Sequence, residues 1–511
     1  MTYRFITTYI ASGVSLNMAM YTGLEIESTG GVGGAGVYAN FDTVIVNLGK
    51  VNAARSNNSI GVKLTSGGTV VNYHGGSIAG YLGVYISGAS GTVANFGTIE
   101  GGFAGNGVYL HSGGSVTNGS TADSSALIEG DSGVSSLGAA TVVNYGLLEA
   151  AGSFGDGVFL QSGGKVTNFG TVRGEYFNGV LLQAAGTVIN GSTNDTDAVI
   201  TGANNGVLVS GGTGSIDNLG TISSTGTAGA GVDIQTAGGA VTNGTNAVTS
   251  ARIFGHIGIG LGGAGNVANF GTVLSLTDFG VDLAAGGTVV NGSVTDTKAL
   301  IEGYLDGVVV SGAAGTVTNL ATIAATYPAP GTPTNVYSVA GVRLDDGGSL
   351  TNGSLIDRTA QISGYYGVIS QNVGGAGVAA TIANFGAIAG GVLLQAGGSV
   401  TNGAPGDTTA LISGGTGIDS ARLATVANFG SIQGETSDGI FIDQGGAVTN
   451  GGITDTKAQI EGLVGVFVGG AAGAVTNFGV IHGIGLGTGN AGVNLFDGGS
   501  VTNGGPPNTP L

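Results

Sequence analysis

A Val-x-Asn motif, with Ile or Leu replacing Val in a few copies, recurs along the 511-residue chain at a mean spacing of about 25 residues. Between successive asparagines, apolar residues alternate in three short runs that glycines separate. Such alternation indicates short β-strands, and a three-stranded unit of this size can bury its apolar face only against copies of itself. The sequence therefore predicts an all-β fold, a single-stranded right-handed parallel β-helix (solenoid) of about 19 rungs with three short strands per rung.

The repeat runs through most of the chain and defines its organisation. We interpret residues 1–40 as an N-terminal cap with the first rungs, and residues 41–503 as the parallel β-helix. Within the latter, residues 324–340 contain three prolines, which prevent regular strand pairing and predict a protruding loop or a seam in the solenoid. Residues 504–511, GGPPNTPL, have no strand pattern and are typical of a linker-like tail.

Composition and charge exclude several classes of protein. The chain contains no cysteine, which excludes disulfides, thiolate metal sites and cysteine nucleophiles. Its formal charge is −18 and it has only 12 lysines and arginines, whereas binding to a phosphate backbone requires clustered cations. Nucleic acid is therefore not an expected partner.

The mean hydropathy of +0.37 is high for a soluble protein, yet Gly, Ser, Thr or Asn interrupts every apolar stretch. No stretch approaches the roughly 18–20 residues of a membrane-spanning helix, so we do not expect this chain to insert directly into a membrane. Residues 1–25 contain no recognisable signal peptide.

The asparagines of the motif follow an inward-facing apolar residue by two positions, so their side chains should also face inward. Stacked in this way, each amide can bond backbone groups and the next amide, which predicts a structural ladder rather than a binding site. Its predicted members are Asn47, Asn72, Asn95, Asn118, Asn144, Asn168, Asn190, Asn218, Asn243, Asn269, Asn291, Asn319, Asn352, Asn384, Asn402, Asn428, Asn450, Asn477 and Asn503.

The strongest candidate for chemistry is a row of charged residues in the second strand. Glu100, Glu129 and Glu149 occupy one place in three successive rungs, about 4.8 Å apart, and Arg173 follows in the next rung. Carboxylates so close together can have raised pKa values for acid–base cleavage of glycans, or can recruit Ca²⁺. The alternative is a solvated corner, because the same place holds small residues elsewhere: Thr201, Ser223, Ser363 and Ala389. We favour the solvated corner, with no catalytic residue, metal or cofactor, and keep the catalytic row and Ca²⁺ as alternatives.

The third strand has an outward position that accepts Lys63, Asp233, Asp282, Arg343 and Asn494, which indicates that it faces solvent. Aromatic residues there could stack on sugar rings or on a partner, or could simply stabilise the sheet by stacking across rungs, the interpretation we favour. These residues are Tyr85, Tyr109, Phe159, Phe441 and Phe467.

Two other polar sets are assigned no binding role. An aspartate lies five residues after the motif asparagine in Ser/Thr-rich loops, where it typically bonds its own turn. Loops two rungs apart lie roughly 10 Å from each other, too far to share one ion. The aspartates are Asp123, Asp195, Asp296, Asp357, Asp407 and Asp455, with Val248 in place of Asp in one loop. The second set is the four histidines, His74, His111, His256 and His482, whose spacing fits neither a metal site nor a catalytic triad.

The segments GTVANFGTIEGG, GVYLHSGGSVTNGS and TTYIASGVSL resemble the Gly- and Asn-rich passenger repeats of bacterial autotransporters, and more loosely the pectin-lyase-like β-helices with internal asparagine ladders. This resemblance covers nearly the whole chain. It implies an exported protein on the bacterial cell surface or outside the cell, often followed by an outer-membrane barrel, and no barrel is recognisable in this sequence.

Three functions are compatible with these features. The first is a non-enzymatic extracellular or cell-surface rod, an adhesin or structural stalk that contacts host or matrix glycans or proteins. The second is a polysaccharide-active β-helix enzyme, a lyase or glycoside hydrolase, that uses Glu100, Glu129, Glu149 and Arg173. The third is a self-associating matrix or filament component, because the terminal rungs of a solenoid expose strand edges.

Overall fold

The structure, a computed structural model, describes residues 2–55, 59–327, 339–371, 377–485 and 491–504. Every regular element of these residues is a β-strand, and together the strands form a parallel β-solenoid of about 19 turns with three strands per rung. The predicted fold class is thereby confirmed. The chain divides into two compact units, Met1–Gly262 and Gly263–Leu511, and each unit contains all three sheets.

Strands follow one another along the chain in the order sheet A, sheet B, sheet C. In the first unit, the strands of sheet A are Tyr3–Ile6, Gly23–Ile26, Val44–Asn47, Gly68–Asn72, Gly91–Asn95, Gly114–Asn118, Ala140–Asn144, Gly164–Asn168, Gly186–Asn190, Gly214–Asn218 and Gly239–Asn243. Those of sheet B are Tyr9–Ile10, Gly31–Val32, Lys50–Asn52, Ser77–Ala79, Thr98–Glu100, Leu127–Gly130, Leu147–Ala150, Thr171–Gly174, Val199–Gly202, Thr221–Ser224 and Arg252–Gly255. Those of sheet C are Val14–Ser15, Val37–Ala39, Ile60–Leu64, Leu82–Ile86, Val108–Leu110, Val134–Ser136, Val158–Leu160, Val180–Leu182, Val207–Val209, Ala230–Ile234 and Ile257–Leu261.

The second unit repeats the same order. Its sheet A consists of Gly265–Asn269, Gly287–Asn291, Gly315–Asn319, Gly348–Asn352, Ala380–Asn384, Gly398–Asn402, Ala424–Asn428, Gly446–Asn450, Gly473–Asn477 and Gly499–Asn503. Its sheet B consists of Thr272–Ser275, Leu300–Gly303, Thr322–Ala325, Gln361–Ser363, Ala387–Ala389, Leu411–Gly414, Ser431–Gly434, Gln459–Gly462 and Val480–Gly483. Its sheet C consists of Val281–Leu283, Val308–Val310, Ala340–Leu344, Tyr366–Ser370, Val392–Leu394, Ile418–Ser420, Ile440–Ile442, Val466–Val468 and Val493–Leu495.

Strands pair in parallel with their counterparts one rung along, and like residues align. In sheet A, for example, Val116 pairs with Val93 on one side and with Val142 on the other. Val116 and Asn118 are fully buried, whereas Thr117 between them points outward and is half-buried. Burial of each core Val, Leu or Ile contributes about 1.5–3 kcal/mol, so the inward column of every sheet stabilises the stack rung by rung.

Glycine is required where sheet C turns into sheet A. Gly287 has a φ of 135°, and a Cβ atom there would lie 2.1 Å from the carbonyl oxygen of Gly265 in the neighbouring rung. No side chain fits that contact, and L-residues rarely adopt this backbone conformation. The close approach of successive rungs at this corner thus explains the Gly-Gly pair that recurs at the start of many strands of sheet A.

Strands begin at Tyr3, so residues 1–40 already contain two strands of each sheet. Of the proline-rich segment 324–340, residues 328–338 lie outside the described residues, as do residues 505–511 of the predicted tail. The segment 324–340 connects the strand Thr322–Ala325 of sheet B to Ala340–Leu344 of sheet C.

Candidate functional site

The motif asparagines form a continuous ladder within each unit. In the first unit the Nδ2 of Asn95 donates to the Oδ1 of Asn118 at 2.8 Å, and also to the carbonyl oxygens of Gly97 and Leu127. The same side chain-to-side chain bond joins successive asparagines from Asn47 to Asn243, and in the second unit from Asn269 to Asn503. The side-chain amides therefore form their hydrogen bonds within the solenoid itself.

We expect Asn269→Ala to lower the free energy of unfolding by about 1–3 kcal/mol, because it leaves buried backbone carbonyls without a donor. Asn269 is fully buried and donates to Asn291, Gly271 and Leu300. The matched control is Asn266→Ala, since Asn266 lies on the same strand but points outward and is exposed. Urea unfolding of both variants tests the prediction, and equal midpoints would contradict an inward, stabilising ladder.

A second, shorter ladder lies where sheet B turns into sheet C, a feature that sequence analysis missed. The Oδ1 of Asp156 accepts hydrogen bonds from the side chain and the backbone of Asn178, at 2.8 and 3.0 Å. The Oδ1 of Asn178 in turn accepts from the side chain and backbone of Asn205, and Asn205 accepts from the backbone N–H of Ala230. Burial raises the pKa of Asp156 to about 6. The recurrent Asp/Asn-Gly-Val at the start of sheet C was the available signal.

The predicted carboxylate row is assembled in sheet B of the first unit. Glu100 pairs with Glu129, Glu129 with Glu149, and Glu149 with Arg173 in the parallel register. Both ends of the row are paired with cations. Arg55 forms an ion pair with Glu100, and Arg173 contacts Glu149 at 3.3 Å and Glu175 at 3.0 Å.

Glu129, in the middle of the row, has no ion pair of its own among the described residues. Partial burial raises its pKa, and the negative charges of Glu149 and Glu100 raise it further, while Arg55 acts in the opposite direction. The three carboxylates follow one another along a single column of sheet B, so they lie side by side rather than facing each other across a cleft.

The outward column of sheet C, the predicted aromatic position, is less exposed than the sequence indicated. Val309 and Ile369 occupy it with 2% and 0% exposure, so the expectation that the position faces solvent is wrong for these rungs. Tyr85 and Tyr109 are neighbours, with ring centroids 5.5 Å apart, whereas Ser135 separates Tyr109 from Phe159. Phe441 and Phe467 stack at 4.9 Å with an interplanar angle of 6°. All five predicted aromatics are half-buried.

In the second unit, this column contains an ion cluster around Arg343. The guanidinium contacts the carboxylate of Asp306 at 2.9 Å and that of Asp345 at 3.4 Å, and lies 5.3 Å from the ring centroid of Phe279. The side chain of Asp306 is 1% exposed, and burial raises its pKa to about 6 although Arg343 opposes the shift. The sequence showed Arg343 at this position but not the buried aspartate beside it.

The loop aspartates bond their own turns, as predicted for Ser/Thr-rich loops. The Oδ1 atoms of five of them accept the backbone N–H two residues later: Asp123, Asp195, Asp296, Asp357 and Asp407. Loops two rungs apart also touch, since Arg358 pairs with Asp407 at 3.1 Å and the N–H of Gly406 donates to Asp455 at 3.3 Å.

Among the histidines, which were assigned no role, His74 lies 3.1 Å from Asp123 and His482 lies 3.7 Å from Glu461. Both imidazoles are mostly exposed, and the ring of His111 lies 6.4 Å from that of Tyr109. Within the described ranges, no three His, Asp or Glu side chains converge in the way a metal site requires.

A groove of about 610 Å³ lies in the second unit, and sequence analysis did not indicate it. Tyr365, Tyr366, Asp419 and Glu435 line it, together with hydroxyl groups and glycine backbone. It lies over the turns from sheet B to sheet C. The feature of the sequence that could have indicated the groove is the short spacing between the sheet B and sheet C strands, which only residues 364–365 and 390–391 connect in these two rungs.

No protein-family model matches the chain, and comparisons with curated proteins and with solved structures give no match either. The described residues include no helix long and apolar enough to cross a membrane.

Proposed function

We propose that this protein is a non-enzymatic repeat scaffold that acts outside the cell, as an adhesin or structural component that presents its outer faces to glycans or proteins. The likeness of its Gly- and Asn-rich repeats to autotransporter passengers and pectin-lyase-like β-helices supports a secreted or cell-surface bacterial protein. Fold resemblance alone does not identify an activity, because β-helices carry many functions.

The observation that carries the proposal is the charge pairing of the carboxylate row. Glu100 and Glu149, the outer members of the best acid–base candidate, are each paired with an arginine. A catalytic pair in a glycoside hydrolase instead requires two carboxyl groups that flank the scissile bond, with access for the attacking water. The row is better suited to stabilise the sheet locally and to provide polar contacts.

A second candidate function, cleavage of a polysaccharide, is favoured by one feature of the same row. The pKa of Glu129 is raised by burial and by its carboxylate neighbours, which is the direction of shift that a general acid requires. The Arg173 guanidinium, 3.3 Å from Glu149, could then contact a substrate carboxylate.

The two functions are distinguished by incubating the purified chain with plant, bacterial and host polysaccharides, measuring retention and the release of new reducing or unsaturated ends. We expect retention without new ends. Cleavage that Glu129→Gln abolishes would overturn the proposal in favour of an enzyme. The matched control is Glu302→Gln, because Glu302 holds the equivalent place in the second unit between Leu274 and Ala324 and lacks a carboxylate neighbour in its column.

A further inference from the structure

The groove of the second unit is formed by unusually tight turns. Gly390 and Gly391 both have positive φ, 101° and 77°, and connect Ala387–Ala389 of sheet B directly to Val392–Leu394 of sheet C. The next turns along the chain lengthen to residues 415–417 and then 435–439. Short turns followed by longer ones leave a depression whose far wall contains Glu435, Thr436 and Ser437.

The tight turn is fixed by its neighbours. A Cβ atom on Gly390 would lie 2.5 Å from the carbonyl oxygen of Gly364, and one on Gly391 would lie 2.3 Å from that of Thr416. The N–H groups of Gly390 and Gly391 both donate to the carbonyl of Ser413 at 2.8 Å. The floor of the groove is therefore a rigid backbone surface, which favours a preformed site.

The lining of the groove includes two aromatic rings and two carboxylates. Tyr365 is 45% exposed, and its ring meets that of Tyr366 edge to face, with centroids 5.1 Å apart. Asp419, in the outward column of sheet C, is half-buried between Leu393 and Phe441, and Glu435 is exposed on the wall. None of the lining residues, all of which are described, is a lysine or arginine.

This lining disfavours anions. It favours a cation that also has a ring face able to stack on tyrosine and hydroxyl groups able to form hydrogen bonds. Tyrosine faces attract cations and stack on sugar rings. Burial raises the pKa of Asp419, and the negative charges of Asp443 and Asp438 raise it further, so a positive charge beside Asp419 would relieve this repulsion. The volume is within the roughly 300–1,000 Å³ typical of ligand sites.

We propose that this groove binds an oligosaccharide with protonated amino groups, such as a chain of glucosamine, with Tyr365 against a sugar ring and Asp419 paired with an ammonium group. The serine and threonine hydroxyls of the lining then meet the sugar hydroxyls. This assignment deepens the proposed scaffold function, on which it rests, by naming one ligand class and one place.

Isothermal titration of the full chain with a glucosamine hexasaccharide tests the assignment, with its N-acetylated form and a galacturonic acid hexasaccharide as comparisons. We expect binding of the glucosamine oligomer only, weakened by added salt. Asp419→Asn should weaken it about 10- to 100-fold, as for loss of a hydrogen bond to a charged group. Asp233→Asn, at the equivalent column position in the first unit, is the matched control and should bind as the wild type does.

Equal binding of the N-acetylated oligomer, or any binding of the galacturonic acid oligomer, would overturn the assignment, as would an equal loss in the Asp233→Asn variant. Should Asp419→Asn fail to fold, Tyr365→Ala changes an exposed ring and must weaken binding instead. Release of reducing ends from the bound oligomer would contradict the non-enzymatic function while leaving the site in place. Absence of binding would overturn the site but not the scaffold function, which the polysaccharide panel tests separately.

Discussion

Replacement of Arg343 by methionine is expected to lower the free energy of unfolding by about 3–5 kcal/mol at neutral pH, the usual cost of removing one partner of a buried ion pair. The substitution keeps an apolar stem but leaves the carboxylate of Asp306, whose side chain is 1% exposed, without the cation that lies 2.9 Å away. Urea unfolding of the variant and the wild type measures the difference.

The matched control for this variant is Lys63→Met, since Lys63 occupies the outward column of sheet C in the first unit, 6.0 Å from the ring centroid of Tyr38. That substitution should change the free energy of unfolding by less than about 0.5 kcal/mol.

The pH dependence of the Arg343→Met effect provides a second test. The pKa of Asp306 is about 6 even with Arg343 in place, so the cost of losing Arg343 should shrink at pH values where Asp306 is protonated. A cost that does not change with pH would contradict burial of a charged Asp306 as its cause.

The second large effect concerns Asp156 and pH. Its pKa is about 6 in the folded chain, whereas an unfolded aspartate titrates near pH 3.9, so between these values the folded state holds a proton that the unfolded state has released. The stabilisation is therefore fully present below about pH 4 and is lost as pH rises through about 6. The loss amounts to about 3 kcal/mol. Asp156→Asn should remove that part of the pH dependence of the unfolding free energy.

Asparagine at position 156 keeps an oxygen that can accept from Asn178 and has no charge to desolvate, so folding should be preserved. A companion variant, Asn178→Ala, removes the side-chain hydrogen bond that opposes the upward shift of the Asp156 pKa but keeps the backbone one, and should extend the pH-sensitive range upward. An Asp156→Asn variant whose stability falls as steeply as that of the wild type between pH 4 and pH 6 would contradict the prediction.

The fold could be predicted because the repeat itself specifies register. Each Val-x-Asn aligns with the next, so counting along the motif was enough to place Glu100, Glu129, Glu149 and Arg173 in one row. The same counting predicted the asparagine ladder. Both depend only on strand pairing between adjacent rungs, which the alternation of apolar residues encodes locally.

Contacts made by turns could not be predicted in this way. Arg55 reaches Glu100 from an irregular segment, and Tyr365 lines a groove only because the turns near it are short. The burial of Val309 and Ile369 in an outward column also depends on how neighbouring side chains and turns lie over the sheet. Such contacts depend on loop length and shape, about which a single sequence provides little information.

The asparagine ladder also has a direction. In the first unit every Nδ2 donates to the Oδ1 of the following asparagine, so the amide dipoles align head to tail, and the buried Oδ1 of Asn47 at the start of the series accepts no hydrogen bond from the described residues. Aligned hydrogen bonds polarise one another, by about 10–30% per bond. The aligned amides thus have a net dipole, with partial negative charge at the Asn47 end. The hydrogen bonds of the ladder should be strongest in the middle, where each amide is polarised from both sides.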